Sequence, residues 1–135
     1  MEPLFIPATK GTPEIAIDAQ SASLSVKGMS IPENAAEFYA PVIQVLEQVL
    51  NMAPAHFNAH FDLSYFNSSS LKALYMVLQR LKEARIMGAT LSIEWVVEEE
   101  DEFMLEASQY FCDLLGIDMQ VKHVPVRDHR ERKAS

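Results

Sequence analysis

A few groups of side chains in this 135-residue chain have types and spacings that could do chemistry. His56 and His60 stand four apart, which on a helix would suit a metal pair. Their neighbours alternate, however: Ala55, Phe57, Ala59, Phe61, Leu63 and Tyr65 interleave with His56, Asn58, His60, Asp62 and Ser64. A period of two makes a strand with one buried and one polar face. On a strand the two imidazoles share a face but lie about 13 Å apart, at roughly 3.3 Å per residue, too far for one ion. Cys112, the single cysteine, follows apolar Phe111 and reads as a packed or half-buried thiol rather than a nucleophile. The acidic run Glu98–Glu102 reads as a solvated loop and as favourable charge at a helix N-terminus rather than as a metal site. No glycine-rich phosphate loop, nucleophile elbow or zinc-protease signature is present, so no catalytic residue, metal or cofactor is expected.

Asn67-Ser68-Ser69-Ser70 is more informative. It joins the end of the alternating strand to a helical run whose apolar stripe is Leu71, Leu74, Tyr75, Leu78 and Leu81. Helix N-termini expose unpaired N–H groups and a partial positive charge, which favour anions. One plain reading is that a serine caps the helix. The other is phosphorylation, which adds about −1.5 to −2 of charge where the helix tolerates it and alters the surface a partner meets.

The remaining elements follow from periodicity and breakers. Met1–Gly11 holds two prolines and reads as a loose leader. Residues 12–18 and 22–26 alternate as short strands, an N-terminal hairpin. Gly28 and Pro32 break the chain. Ser30 and Glu33 have capping-box spacing, with Asn34 as a competing N-cap, ahead of a helix over about 34–51 that contains Pro41. After the helix following Ser70, Gly88 is a C′ residue, 90–97 a strand, and 119–126 a final strand. Between those two strands lies a helix with the stripe Phe103, Ala107, Tyr110, Phe111 and Leu114, closed by Gly116. The expected fold is α/β, one domain over 12–126, with a mixed sheet of about five strands and three helices in the order β-β-α-β-α-β-α-β. Helices should cover mainly one face, because a sheet covered on both would show continuous apolar runs.

The formal net charge is −8. Residues 1–126 carry 7 basic and 17 acidic residues, a charge of −10, while 127–135 form a basic tail, read as disordered, at +2. An acidic body repels phosphate backbones, so nucleic acid is not an expected partner. No apolar run is long enough to span a membrane, and the N-terminus lacks the pattern of a secretory signal. A cytoplasmic domain is expected, since one cysteine cannot form an internal disulfide.

Two resemblances sharpen this reading. Asp62-Leu-Ser-Tyr-Phe-Asn-Ser-Ser-Ser-Leu71, followed by a helix, a glycine and a strand, resembles the core of a STAS domain. Anti-sigma-factor antagonists of that type carry a regulatory phosphoserine in an Asp-Ser-Ser-Gly segment here. Asn67 stands in place of the Asp and Ser70 in place of the Gly. The chain is more closely similar to the SiaC family of bacterial regulatory phosphoproteins. That resemblance rests on Thr12-Pro13, Gly28-Met-Ser-Ile-Pro-Glu-Asn34, Glu37-Phe-Tyr39, Tyr65-Phe-Asn-Ser-Ser-Ser70 and Ile93-Glu-Trp95.

The resemblance implies a non-catalytic switch in cyclic-di-GMP signalling, biofilm formation and aggregation. The unphosphorylated form would bind and activate a diguanylate cyclase. A serine/threonine kinase of the SiaB type and a PP2C-type phosphatase would set its state. The family's acceptor follows the Asn, which is Ser68 here, with Ser69 and Ser70 as neighbouring alternatives. Pro32, Glu33, Asn34, Asp62, Ser64 and Asn67 are the expected switch and partner surface. The alternative implied by the STAS likeness is an anti-sigma-factor antagonist in a partner-switching system.

Overall fold

The alternating run in the middle of the chain folds as an eleven-residue interior strand. The computed structural model describes residues 2–127. Its elements are β1 (Leu4–Ile6), β2 (Glu14–Asp18), β3 (Ser23–Ser30), α1 (Ala35–Asn51), β4 (His56–Phe66), α2 (Ser68–Ile86), β5 (Thr90–Glu98), α3 (Glu102–Leu115) and β6 (Gln120–Val124). The six strands lie side by side in chain order. β1, β2 and β3 pair antiparallel, as hairpin connections allow, and β3 to β6 pair parallel through the three helices. The expected mixed α/β fold is therefore present, with one strand more.

That extra strand corrects the reading of 1–11 as a loose leader. Leu4, Phe5 and Ile6 pair with Ile17, Ala16 and Ile15. Three residues flanked by Pro3 and Pro7 are too few to show a period, so only the register along β2 reveals them. Gly28 likewise does not end its strand. It takes φ 120°, a conformation glycine enters freely, and β3 continues to Ser30.

One core joins the inward side chains of β2 to β5 with the three helices. α1 contributes Tyr39, Val42, Leu46 and Val49, and α2 contributes Leu74, Val77, Leu78 and Leu81. Each large aliphatic side chain buried this way stabilises the fold by about 1.5–3 kcal/mol. Trp95 is fully buried, packs 5.9 Å from Phe111 and donates its indole N–H to the Met104 carbonyl at 3.0 Å. The opposite face of the sheet is polar, with Ser25, Asn58, Ser92 and a His60–Glu94 pair at 2.9 Å.

The α3 stripe matches expectation at Ala107 and Phe111 and departs from it elsewhere. The helix buries Met104, Ala107, Ser108, Phe111 and Leu115, while Phe103, Tyr110 and Leu114 stand about half exposed. Apolar residues occupy two adjacent faces of α3, and periodicity alone does not choose between them. The indole bond to Met104 belongs to the face that is buried.

Candidate functional site

A β-bulge sets up the end of β4. The β3–β4 register runs Gly28↔Leu63 and then Met29↔Tyr65, so Ser64 is an extra residue. Its hydroxyl donates to the Gly28 carbonyl at 3.3 Å. The alternation changes phase here: Leu63 faces the core, Tyr65 is exposed and Phe66 is buried again. Tyr65 stacks on Phe103 outside the core with centroids 5.3 Å apart, while Phe66 packs 5.2 Å from the same ring. Asn67 follows at once and caps α2.

The cap separates the three serines. Asn67 Oδ1 accepts from the Ser70 N–H and from the Ser69 hydroxyl, both at 3.0 Å. Ser70 is fully buried. Ser68 and Ser69 are exposed, and of the three hydroxyls that of Ser68 is without a hydrogen bond among the described residues. Ser68 is the first residue of α2, whose first turn holds no acidic side chain. Its hydroxyl therefore stands free beside N–H groups that the helix itself does not pair.

Behind this surface lies a buried hydroxyl cluster. Ser30 Oγ sits 2.7 Å from the Tyr39 hydroxyl and 2.8 Å from Ser70 Oγ. Ser70 donates to the Ser30 carbonyl at 3.0 Å, and that carbonyl also accepts the Asn67 N–H at 3.0 Å. One proton assignment lets every hydroxyl donate once: Tyr39 to Ser30, Ser30 to Ser70, Ser70 to the Ser30 carbonyl. Burial pushes the Tyr39 phenol up to about 12, against the opposing effect of the Ser30 hydrogen bond. The cluster joins the end of β3 and the starts of α1 and α2.

The start of α1 corrects the capping-box reading. Asn34 is the N-cap, accepting the Glu37 N–H at 3.1 Å, and Ser30 is a buried strand residue. The Asn67 side-chain amide makes a long contact, 3.5 Å, to the Pro32 carbonyl. Pro32 is buried, and Glu33 and Asn34 are exposed beside it. The two helix starts thus lie together, and Tyr39, which sequence periodicity did not select, supplies the link between them. Its only sequence signal is its place in the Glu37-Phe-Tyr39 string.

The other expected residues fall elsewhere. Asp62 is on the polar sheet face, where Arg127 grips both its oxygens at 2.8 and 3.0 Å. Glu98 ends β5 nearly buried, and its carboxylate accepts the Arg127 backbone N–H at 2.8 Å. Glu98 therefore does not open α3; Asp101 caps that helix, accepting the Met104 N–H at 3.1 Å. Arg127 is tethered rather than part of a loose tail, and 128–135 lie outside the described residues. The Asp62 and Glu98 carboxylates, hydrogen bonding first among the causes, push the guanidinium further up. His56 and His60 do not converge; His60 pairs with Glu94. Cys112 is half-buried, and burial pushes its thiol up, away from the reactive thiolate. Among the described residues no group of three potential metal ligands converges, and no helix is long and apolar enough to cross a membrane.

This geometry has counterparts in known proteins. Residues 6–124 match the SiaC family regulatory phosphoprotein family. A relative from Pseudomonas aeruginosa, an uncharacterised protein, is 35% identical over 111 residues, which is 82% of this chain and 88% of the relative. The solved structure of SiaC from Pseudomonas aeruginosa superposes with a TM-score of 0.84 at 31% identity, covering 92% of this chain and all (100%) of that one. A crystal structure of the diguanylate cyclase SiaD in complex with its activator SiaC, also from Pseudomonas aeruginosa, matches with a TM-score of 0.83 at 31% identity, over 90% of this chain and 99% of the other. These matches bear on the SiaC reading and not on anti-sigma-factor antagonism, which is set aside. The chain belongs to the SiaC family of regulatory phosphoproteins.

Proposed function

We propose that this protein is a cytoplasmic, non-catalytic activator of a diguanylate cyclase, switched by phosphorylation of Ser68. The observation that carries the reading is the likeness to SiaC, which in a solved complex is bound to the cyclase SiaD as its activator. The unphosphorylated form binds the cyclase and raises cyclic-di-GMP, promoting biofilm and aggregation. A serine/threonine kinase of the SiaB type adds the phosphate and a PP2C-type phosphatase removes it.

The serine geometry supports Ser68 as the acceptor. Its hydroxyl is exposed and unbonded, whereas Ser69 is tied to Asn67 and Ser70 is enclosed. A kinase reaches Ser70 only if the hydroxyl cluster opens. A phosphate on Ser68 meets the free N–H groups of the first helical turn and no acidic side chain within it. It leaves the fold in place and changes what a partner meets. Asn67 precedes Ser68, and the Asn67 amide reaches the Pro32 carbonyl, which brings Pro32, Glu33 and Asn34 into the same proposed surface. Asp62 and Ser64, held by Arg127 and by the Gly28 carbonyl, shape the strand beneath.

Titrating the purified, unphosphorylated chain into a diguanylate cyclase of the SiaD type, and following cyclic-di-GMP synthesis, tests the reading. The rate should rise and saturate. No change at any ratio, with no complex in a binding titration, contradicts it.

A further inference from the structure

Between α1 and α2 runs a groove of about 580 Å³ that begins at Ser69, the residue after the candidate switch. Ala36, Ala40 and Ile43 line it from α1, Ala73 and Met76 from α2. At one end are Ser69 and Lys72, and at the other Arg80 donates to Glu47 at 2.7 Å. Ser69 to Arg80 spans roughly 16 Å at about 1.5 Å per helical residue, or three turns. Alanines on both walls let another backbone approach closely, which suits one amphipathic helix laid along the groove. Lys72 is exposed at the mouth and has no ion pair among the described residues, in contrast to Arg80. An unpaired cation there fits a carboxylate on the occupant. Lys72 also lies four residues after Ser68 on α2, so the two side chains share a helix face, the anion preceding the cation in the favourable order.

We propose that Lys72 reads the switch: in the unphosphorylated chain it pairs with a carboxylate on a partner helix seated in the α1–α2 groove, and phosphate on Ser68 takes that pairing over. The inference rests on the function proposed above and names the surface through which it works. Phosphorylation then weakens the complex twice, by occupying Lys72 and by setting negative charge beside the partner's carboxylate.

The test uses the unphosphorylated full chain with Lys72→Gln and Lys72→Arg, titrated against the cyclase, and the Ser68-phosphorylated chain followed by phosphorus NMR. Lys72→Gln should weaken cyclase binding about three- to tenfold, and Lys72→Arg should stay within about twofold of wild type. In the phosphorylated chain, Lys72→Gln should raise the second phosphate pKa, ordinarily near 6, by a few tenths of a unit. Equal cyclase affinity of wild type and Lys72→Gln overturns the proposal while leaving the activator function standing. An unchanged phosphate pKa overturns the handover from partner to phosphate. Wild type that binds no cyclase overturns the function and this inference together. A homodimer of the free chain that Lys72→Gln dissolves assigns the groove to a second copy and also overturns it.

Discussion

The hydroxyls of Ser30 and Ser70 lie 2.8 Å apart, forty residues distant in sequence, with the Tyr39 phenol 2.7 Å from Ser30 on the other side. This contact fixes the start of α2 against the end of β3, and so fixes where Ser68 is presented. It also separates structural serine from candidate switch serine within one tripeptide.

Ser70→Ala removes a buried donor and leaves the Ser30 groups short of a partner. Stability to urea should fall by about 1–3 kcal/mol. The variant should still gain one phosphate from the kinase, read by intact mass, whereas Ser68→Ala should gain none. A phosphate on Ser68→Ala would move the acceptor to Ser69.

Asn67 holds both Ser69 and the Ser70 N–H through one oxygen. Asn67→Ala should cost about 1 kcal/mol as a lost N-cap, measured by chemical denaturation. Asn67→Asp keeps the acceptor and should retain most of that stability. Its added charge beside Ser68 should slow phosphorylation, seen as a lower initial rate of phosphate incorporation.

Tyr39 gives a pH signature. Its folded pKa, about 12, lies above the ordinary 10. Between those values the unfolded chain releases a proton that the folded chain keeps. The contribution is therefore complete below pH 10 and is lost as pH rises towards 12, by at most about 1.4 kcal/mol per unit. Tyr39→Phe should be less stable than wild type at neutral pH, by about 1 kcal/mol for a lost hydrogen bond. The gap should narrow above pH 10, because phenylalanine does not titrate. A gap that stays constant from pH 9 to 11.5 in urea denaturation would refute the buried-phenol assignment.

Arg127 clamps Asp62 from beyond β6, with about a third of its side chain exposed (31%). Arg127→Ala should destabilise by about 1–2 kcal/mol, a bidentate charged pair discounted for that exposure. Arg127→Lys should recover less than half, because an ammonium cannot hold both oxygens in the same plane. Denaturant midpoints in low and high salt check both expectations.

The fold was legible where patterns were long. The alternation of β4 as far as Ser64, the helical run after Ser70 and the closing glycine Gly116 all read directly, whereas Tyr65, expected on the buried face, is turned outward by the bulge at Ser64. β1 was not legible, because three residues carry no period and its partner β2 defines it. On α3, Ala107 and Phe111 of the expected stripe are buried but Phe103, Tyr110 and Leu114 are not, because these three continue the stripe as regularly as Met104 and Leu115 do. Only the three-dimensional position of Trp95 separates them. Ser30 read as a helix cap because spacing to Glu33 is a local signal, whereas its bonds to Tyr39 and Ser70 are not local. The Ser68 junction itself was visible as a strand end meeting a helix start. What singles out Ser68 among three serines is burial and hydrogen bonding, which composition does not carry.

The central claim is that the exposed Ser68 hydroxyl controls activation of the cyclase. The direct measurement is cyclic-di-GMP synthesis by the cyclase over a concentration series of three preparations: unphosphorylated chain, chain fully phosphorylated by its kinase, and kinase-treated Ser68→Ala. The account predicts activation by the first and third and a loss of at least tenfold in potency for the second, reversed by phosphatase. Equal activation by the phosphorylated and unphosphorylated chains would contradict it.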